Sequence, residues 1–236
     1  MFSALYAKYN TSLIFFLIFL VGLSLHALGK EWGVANIGSD NRTYITGPTA
    51  LIVQQALAGP CLGLGADANI LSVFTVYAEL KDHLDLADDD EQRLWLYIYQ
   101  HLKHAQTFDP WFWDINRLSS GLLMNQKRFQ KRAVGLLQRG SNARTWDWET
   151  PFVAGFMAHD LLGDDVLALS LTKEASYRPG APSIVISFSA KLMEKNIGIK
   201  DSIDFLRAMK KLMPKLYSDE INAKILALEK KQTNSY

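Results

Sequence analysis

The side chains best suited to chemistry are two histidines three residues apart, His101 and His104, in the run QHLKHAQ. Residues three apart share one helix face, and Tyr97 lies one turn earlier, so the three could meet a common ligand. A zinc site uses three or four protein ligands, which His83 or Asp82 would have to complete. The HExxH pattern is missing. The pattern favours a polar helix face, with a metal-dependent enzyme that uses His101 and His104 as the alternative.

A second set of reactive side chains comprises His159, Asp160 and the serines Ser187 and Ser189. A nucleophilic serine needs a histidine base oriented by a carboxylate, but adjacent residues of a helix point about 100° apart. The G-x-S-x-G turn of hydrolases is missing, and the run GPCLGLGAD lacks the third glycine and the preceding strand of a dinucleotide site. We therefore expect a protein that is not an enzyme, with no cofactor, no metal and no small-molecule substrate.

Aromatic residues are the more promising set, because large aromatic side chains dominate the energetics of many protein interfaces. Two nearby segments at the start of predicted helices contain four of the six tryptophans of the chain. Core packing between helices is the more common role of such side chains, and a tryptophan can serve both roles by burying one edge and exposing the other. We predict a partner-binding surface formed by Trp111, Phe112, Trp113, Trp146, Trp148 and Phe152.

Composition limits the classes of function. The 236 residues carry 25 Lys and Arg against 24 Asp and Glu, so no basic excess favours nucleic-acid binding. We interpret the basic run KRFQKR at 127–132 as a solvated face. Cys61 is the only cysteine, which excludes an internal disulfide, and we expect it to be half-buried. Asp67 interrupts an apolar stretch, so we expect a loop or a helix start to satisfy its carboxylate, with a polar contact to the membrane-proximal segment as the alternative.

The N-terminal segment is typical of a membrane element. No charged residue lies between Lys8 and Lys30, and residues 13–28 (LIFFLIFLVGLSLHAL) are dense in Leu, Ile and Phe. About 20 helical residues cross a bilayer core, so residues 12–29 predict one transmembrane helix with the rest of the chain translocated. A signal peptide cleaved before Lys30 is the alternative. We predict an anchor or signal peptide at 1–30, a linker and short helix at 31–60 and a helical domain at 61–236.

Small residues recur with a fixed spacing. Gly121, Gly155 and Ala190 lie 34 and 35 residues apart, each in an apolar stretch with helical periodicity that a second helical stretch follows. A period near 34 is the length of one helix-turn-helix unit in tetratricopeptide arrays, whose paired helices approach closely at small residues. Glycine-containing turns at 140–142, 163–165 and 179–182 separate the predicted helices.

The periodicity predicts an all-α fold of antiparallel helix pairs. A first pair comprises a helix at 62–83 and a second helix that follows the acidic residues 88–91. Carboxylates at these positions suit the positive N-terminal end of a helix. A short helix at 49–58 precedes this pair. The regular part consists of the pairs 111–125 with 127–139, 150–162 with 164–178 and 182–196 with 200–213, and of a polar final helix at 219–231.

Five phrases, taken in order, resemble membrane-associated bacterial proteins with divergent tetratricopeptide (TPR-like) repeats. They are LGAD at 64–67, FDPW at 108–111, AVGLLQRG at 133–140, WETPFVAGF at 148–156 and RPGAP at 178–182. The resemblance implies a TPR-like solenoid behind one N-terminal transmembrane helix, a periplasmic domain and no catalytic residues. It also implies an adaptor role among other envelope proteins.

The expected function is therefore a non-catalytic protein-protein interaction scaffold in the inner membrane of a bacterium, within pilus, secretion or polysaccharide machinery. A soluble periplasmic binding module, released by cleavage of the N-terminal segment, is the alternative.

Overall fold

The computed structural model describes Leu20 and residues 48–82, 87–212 and 218–234. The chain divides into two compact units, Met1–Ile45 and Thr46–Tyr236. The described part of the second unit is entirely helical, with ten α-helices, one π-turn and one 3-10 turn. They are α1 Pro48–Ala58, α2 Leu62–Asp82, α3 Asp88–Phe108, α4 Trp113–Leu118, the π-turn Ser119–Leu123, the 3-10 turn Lys127–Phe129, α5 Gln130–Ala143, α6 Glu149–Asp160, α7 Asp165–Tyr177, α8 Ser183–Asn196, α9 Ile199–Leu212 and α10 Ser218–Thr233.

Helices that follow each other in the chain pack as neighbouring pairs, which confirms the all-helical prediction and is consistent with a helical solenoid. The contacts join α2 to α3, the π-turn after α4 to α5, α6 to α7 and α8 to α9. Further contacts of α5 with α6 and of α7 with α8 connect one pair to the next. Each helix therefore buries its apolar face mainly against its neighbours in the sequence.

Two of the predicted turns show why the helices end where they do. Gly163 has a φ of 65° and Gly180 a φ of 75°, a left-handed conformation that glycine adopts without a steric penalty. After Gly163, helix α7 begins at once, because the Asp164 side chain accepts a hydrogen bond of 3.0 Å from the backbone N–H of Leu167. Both turns separate helices, as the sequence predicts.

The small residues of the 34-residue spacing differ in their surroundings. A Cβ at Gly155 would lie 2.6 Å from Thr172 Cγ2 and 3.0 Å from the Ala168 carbonyl oxygen, so glycine permits the contact of α6 with α7. Ala190 is fully buried in α8. Gly121 is different, because a Cβ there would meet no atom within 4 Å. Gly121 therefore does not serve the close helix packing that its place in the spacing predicts.

The predicted turn at 140–142 is wrong, since Gly140 and Ser141 lie inside α5 and are buried. A Cβ at Gly140 would overlap the side chain of Asn116, so this glycine lets α5 approach α4. The predicted helix over 111–125 is also interrupted. Its first turn begins at Trp113, and it changes to π-type hydrogen bonding at Ser119–Leu123.

The last helix closes the C-terminal end of the apolar core. Ile221, Ile225 and Leu228 of α10 are buried in a cluster with residues of α8 and α9, which include Phe205 and Met209. Terminal helices of repeat arrays commonly cover the last core in this way, with a polar outer face. Lys230 and Lys231 in the last turn of α10 also suit the negative end of the helix dipole.

Two expectations for the N-terminal helices are wrong. Asp67 is exposed on α2, so its carboxylate needs no partner within the protein. Cys61, in the turn between α1 and α2, is exposed as well. None of the helices within the described residues is long and apolar enough to cross a membrane. The predicted transmembrane segment at 12–29 lies outside the described residues except for Leu20.

Candidate functional site

The two histidines on α3 are buried. His101 Nδ1 lies 2.9 Å from Asn69 Oδ1 on α2, and Asn69 Nδ2 donates to Gln54 Oε1 on α1 at 3.1 Å. Burial, assisted by the neighbouring His104, lowers the pKa of His101 to about 4. The neutral imidazole thus donates Nδ1–H to Asn69 and links α3 to α2 and, through Gln54, to α1.

A metal site would need further ligands around these histidines. In the described ranges, no group of three or more histidine, cysteine or carboxylate side chains is arranged so that it could hold a metal ion. Of the predicted further ligands, His83 lies outside those ranges, and Asp82 is exposed at the end of α2. The described surroundings of His101 therefore support a structural hydrogen bond between helices.

The other candidate acid-base residues do not form a triad. His159 bonds to Asp165 at the start of α7, and not to its neighbour in sequence, Asp160. Lys195 Nζ lies 2.5 Å from Asp165 Oδ2. The bonds from Lys195 and then His159 hold the pKa of Asp165 below its ordinary value. Ser189 is fully buried, and its hydroxyl donates to the Val185 carbonyl at 3.0 Å, so it is a structural residue.

Three of the six predicted aromatics meet around one arginine, Arg144, at the C-terminal end of α5. Its guanidinium carbon lies 4.9 Å from the ring centre of Trp113 and 5.4 Å from that of Trp146. Its Nη1 also donates to the Trp111 carbonyl at 2.8 Å. The Trp111 indole N–H donates in turn to the Ala143 carbonyl at 3.1 Å. We call Arg144, Trp111, Trp113 and Trp146 the Arg144 cluster.

Polar contacts hold the loop at 144–148, which carries Arg144 and Trp146 of this cluster. Asp147 Oδ2 lies 3.4 Å from Arg144 Nε and accepts from Thr150 Oγ1 at 2.5 Å. Asp147 Oδ1 accepts from the backbone N–H of Glu149 at 3.0 Å, which fixes the start of α6. The buried guanidinium of Arg178 donates to the carbonyls of Arg144 at 2.8 Å and Asp147 at 2.6 Å. The loop from 144 to 148 is therefore tied to the helices on both sides of it.

Two of the remaining predicted aromatics belong to a different cluster. The rings of Trp148 and Phe152 lie 6.4 Å apart, and Phe152 meets Phe188 of α8 edge to face at 5.9 Å. The ring centres of Phe156 and His159 lie 6.0 and 5.6 Å from that of Phe188. These side chains connect α6 to α8 at the surface, since Trp148, Phe152 and Phe188 are half-buried and Phe156 is 45% exposed. Edge-to-face ring pairs of this kind stabilise such contacts.

Phe112, the sixth predicted aromatic, is half-buried as the residue before α4, and its N–H donates to the Asp109 carbonyl at 3.3 Å. The prediction therefore divides in three: an exposed cluster around Arg144, a packed pair on Phe188 and a helix-flanking residue. Arg144 and Phe188 were not predicted as members of these clusters. The spacing of Arg144 and Arg178, 34 residues apart, is the signal that could have pointed to both arginines.

The four basic residues of the run at 127–132 are all exposed, as the predicted solvated face requires, and two of them also line a cleft. Arg132 lies over the ring of Tyr99 at 5.1 Å and over that of Phe129 at 5.0 Å. The cleft, of about 560 Å³, is lined by Arg128 and Arg132 on one side and by Asp89 and Arg93 of α3 on the other. Three arginines and one aspartate line this cleft, so its lining carries a net positive charge.

Comparisons with known protein families, with curated proteins and with solved structures find no match to this chain. The functional interpretation of the site therefore rests on the geometry of the described residues.

Proposed function

We propose that this protein is a non-catalytic protein-protein interaction scaffold, built as a TPR-like solenoid and anchored in the bacterial inner membrane by residues 12–29. The helical domain faces the periplasm and binds other envelope proteins within pilus, secretion or polysaccharide machinery. The observation that carries this proposal is the Arg144 cluster, in which Trp111 and Trp146 remain 58% and 54% exposed although both are held in place.

The Arg144 cluster has the properties of an interface anchor. Trp and Arg are the residue types most enriched among the side chains that dominate binding energies. Arg144 contacts the indole rings of Trp113 and Trp146 and donates to the Trp111 carbonyl. These contacts hold the side chains of the cluster in one arrangement before a partner arrives. Little rotamer entropy is then lost on binding, which favours affinity. The second aromatic cluster is packed against Phe188, so it offers less free surface to a partner.

The partner chemistry that fits this surface is a protein segment with an apolar patch and a hydrogen-bond acceptor. The exposed side chains of Trp111 and Trp146 offer apolar area. The Arg144 guanidinium lies over the ring of Trp146 and is paired with Asp147, so the polar groups beside this area are held in place. The helix pairs that carry the cluster follow each other along the chain, and such arrays present extended surfaces to partners in many proteins.

Site-specific photocrosslinking in the producing cell tests this proposal. A photoreactive phenylalanine replaces Trp146, and for the control it replaces Val166, which is 78% exposed on α7 and outside the cluster. We expect the probe at 146 to capture one defined envelope protein that the probe at 166 does not capture. Adding Arg144→Ala should lower this capture at least tenfold, a loss that corresponds to about 1.4 kcal/mol of binding free energy.

Two results would contradict the proposal. One is equal capture at positions 146 and 166, and the other is capture at 146 that Arg144→Ala leaves unchanged while circular dichroism shows a folded variant. The intact mass of the membrane-fraction protein separates the anchored protein from the alternative of a cleaved periplasmic module. A mature N-terminus at Lys30 would show cleavage and remove the anchor from the proposal.

A further inference from the structure

The two N-terminal helices expose an unusual amount of apolar surface. Six large apolar side chains on α1 and α2 are between 51% and 82% exposed, although these two helices pack against each other. Soluble proteins rarely leave so many large apolar side chains together on their surface unless something covers them. We call this surface the α1–α2 apolar face, and it comprises Ile52, Val53, Leu57, Leu64, Leu71 and Phe74.

Loose packing does not explain the exposure of the α2 part of this face. The opposite side of α2 is buried through Val73, Val76 and Leu80, and α2 packs against α3. At its start, a Cβ at Gly65 would lie 2.7 Å from the ring of Phe108, so α2 lies close against the end of α3. The apolar face of α2 therefore belongs to a well-anchored helix and points away from the protein core.

The polar groups on this face need no water. The Ser72 hydroxyl donates to the Ala68 carbonyl at 2.9 Å, and the Thr75 hydroxyl donates to the Leu71 carbonyl at 3.0 Å. Hydroxyl groups that donate to the preceding turn of their own helix are satisfied in an apolar medium. Asp67 is the one charged residue of the sequence between Arg42 and Glu79, and it is exposed. One carboxylate among apolar side chains suits the headgroup depth of a bilayer better than its hydrocarbon core.

The position of the face in the chain favours a lipid surface over other occupants. Nineteen residues, 29–47, separate the apolar run at 13–28 from α1. A chain of this length spans at most about 65 Å when fully extended. Once residues 13–28 lie in a bilayer, α1 stays within that distance of the same bilayer, so even a weak apolar attraction is effective.

We propose that the α1–α2 apolar face lies on the lipid bilayer, with Leu57 and Leu64 at the level of the acyl-chain boundary and Asp67 among the headgroups. The inference rests on the membrane anchoring of the proposed function and adds a second, peripheral contact to it. This contact fixes which side of the helical domain faces the membrane.

Fluorescence quenching in proteoliposomes of the full-length chain tests the contact. Cys61 is exposed between α1 and α2 and is the only cysteine, so it accepts an environment-sensitive label without mutagenesis. The control carries Cys61→Ser with Ala227→Cys, which places the label on an exposed position of α10. We expect nitroxide-labelled lipid to quench the label at Cys61 at least threefold more than the label at position 227.

Substitutions on exposed positions then separate the face from the rest of the surface. Leu57→Glu combined with Leu64→Glu should lower the quenching at Cys61 to the level of the position 227 control. Val166→Glu, at an equally exposed position of α7, should leave it unchanged. All three positions are exposed, so these variants retain the buried core.

Flotation of the vesicles distinguishes the possible failures. A chain that does not float with the vesicles would overturn the anchoring, and with it this inference. A chain that floats, but whose Cys61 label is quenched no more than the control, would overturn the lipid contact alone. Protection of the Cys61 label from aqueous iodide without lipid quenching, together with energy transfer between labelled chains, would show that a second copy covers the face.

Discussion

At the scale of single residues, Gly155 and Gly121 share one sequence spacing but differ in what they contribute to packing. Gly155→Ala would bring a methyl group to 2.6 Å from Thr172 Cγ2 and 3.0 Å from a backbone oxygen, so α6 and α7 must separate. We expect a loss of about 1–3 kcal/mol in the free energy of unfolding, the usual cost of overpacking. Urea denaturation followed by circular dichroism measures it.

Gly121→Ala is the matched control for this substitution. Its new methyl group meets no atom within 4 Å, and alanine is the better helix former, so we expect a gain of up to about 1 kcal/mol. If both variants lost the same stability, the contact of α6 with α7 would not depend on the missing side chain of Gly155.

Arg178 has the largest set of polar contacts of any single side chain in the described part of the chain. Its buried guanidinium donates to the carbonyls of Ser141, Arg144 and Asp147 and bonds to Glu174. Arg178→Ala leaves these groups without their donor, and we expect a loss of about 2–5 kcal/mol in the free energy of unfolding. Calorimetry would show this as a lowered midpoint of thermal unfolding.

Arg139→Ala is the control, because Arg139 is exposed and its side chain donates one hydrogen bond, of 2.9 Å, to Gln106 Oε1. Its removal leaves one partly buried oxygen of Gln106 without its donor, so we expect a loss of about 1 kcal/mol in the free energy of unfolding, well below the loss at Arg178. Similar effects at both positions would mean that Arg178 does not hold the loop. Arg178→Lys should recover little stability, because an ammonium group cannot reproduce the forked geometry of the guanidinium.

At the scale of helices, the junction of α2 with α3 makes stability depend on pH. The pKa of His101 falls to about 4 on folding, chiefly through burial, while the unfolded chain keeps an ordinary value near 6.5. Between pH 6.5 and 4 the unfolded state binds the additional proton, so stability falls as the pH is lowered through this window. The loss approaches about 3 kcal/mol at pH 4. Burial lowers the pKa of His104 as well and adds to the effect in the same direction.

His101→Gln tests this pH dependence because it keeps a neutral donor for Asn69 Oδ1 and cannot take up a proton. We expect its urea midpoint to vary less with pH between 6.5 and 4 than that of the unaltered chain. Equal slopes in the two proteins would show that His101 does not titrate on unfolding in this window. At pH 7 the free energies of unfolding of the two proteins should differ by no more than the usual effect of a small change in core packing.

Helices were also the elements that the sequence predicted best. The pairs formed by α6 with α7 and by α8 with α9 begin and end within two residues of the predicted bounds. The end of α5 was predicted wrongly at Gly140, because a glycine followed by Ser and Asn indicates a turn in most contexts. Its close contact with Asn116 instead keeps it inside α5. Only the approach of α4 explains a glycine at that position.

At the scale of the whole molecule, stability should be local, because each pair of helices contacts mainly its neighbours. Ile225→Ser removes a buried side chain of α10, which is 8% exposed, and we expect it to cost about 2–4 kcal/mol. Hydrogen exchange should show faster opening of α8, α9 and α10, while α2 and α3 keep their protection.

Leu226→Ser on the same helix is the control, since Leu226 is 66% exposed and its loss should cost less than about 0.5 kcal/mol. Faster exchange that extends equally to α2 and α3 would mean that the helical unit unfolds as one cooperative body. That outcome would contradict the neighbour-by-neighbour arrangement.

The sequence by itself determined the helical class, the order of the helices and most of their ends, because apolar periodicity, glycine turns and capping carboxylates act over a few residues. It also singled out the aromatic segments, because residue type alone shows where the large side chains lie along the chain. Tertiary structure decided which of these aromatics remain exposed. The division depends on Arg144 reaching back 33 residues to the Trp111 carbonyl and on Phe188 packing against α6 from another pair. Contacts between residues so far apart in the chain depend on how the helices pack, and that packing cannot be read from local patterns.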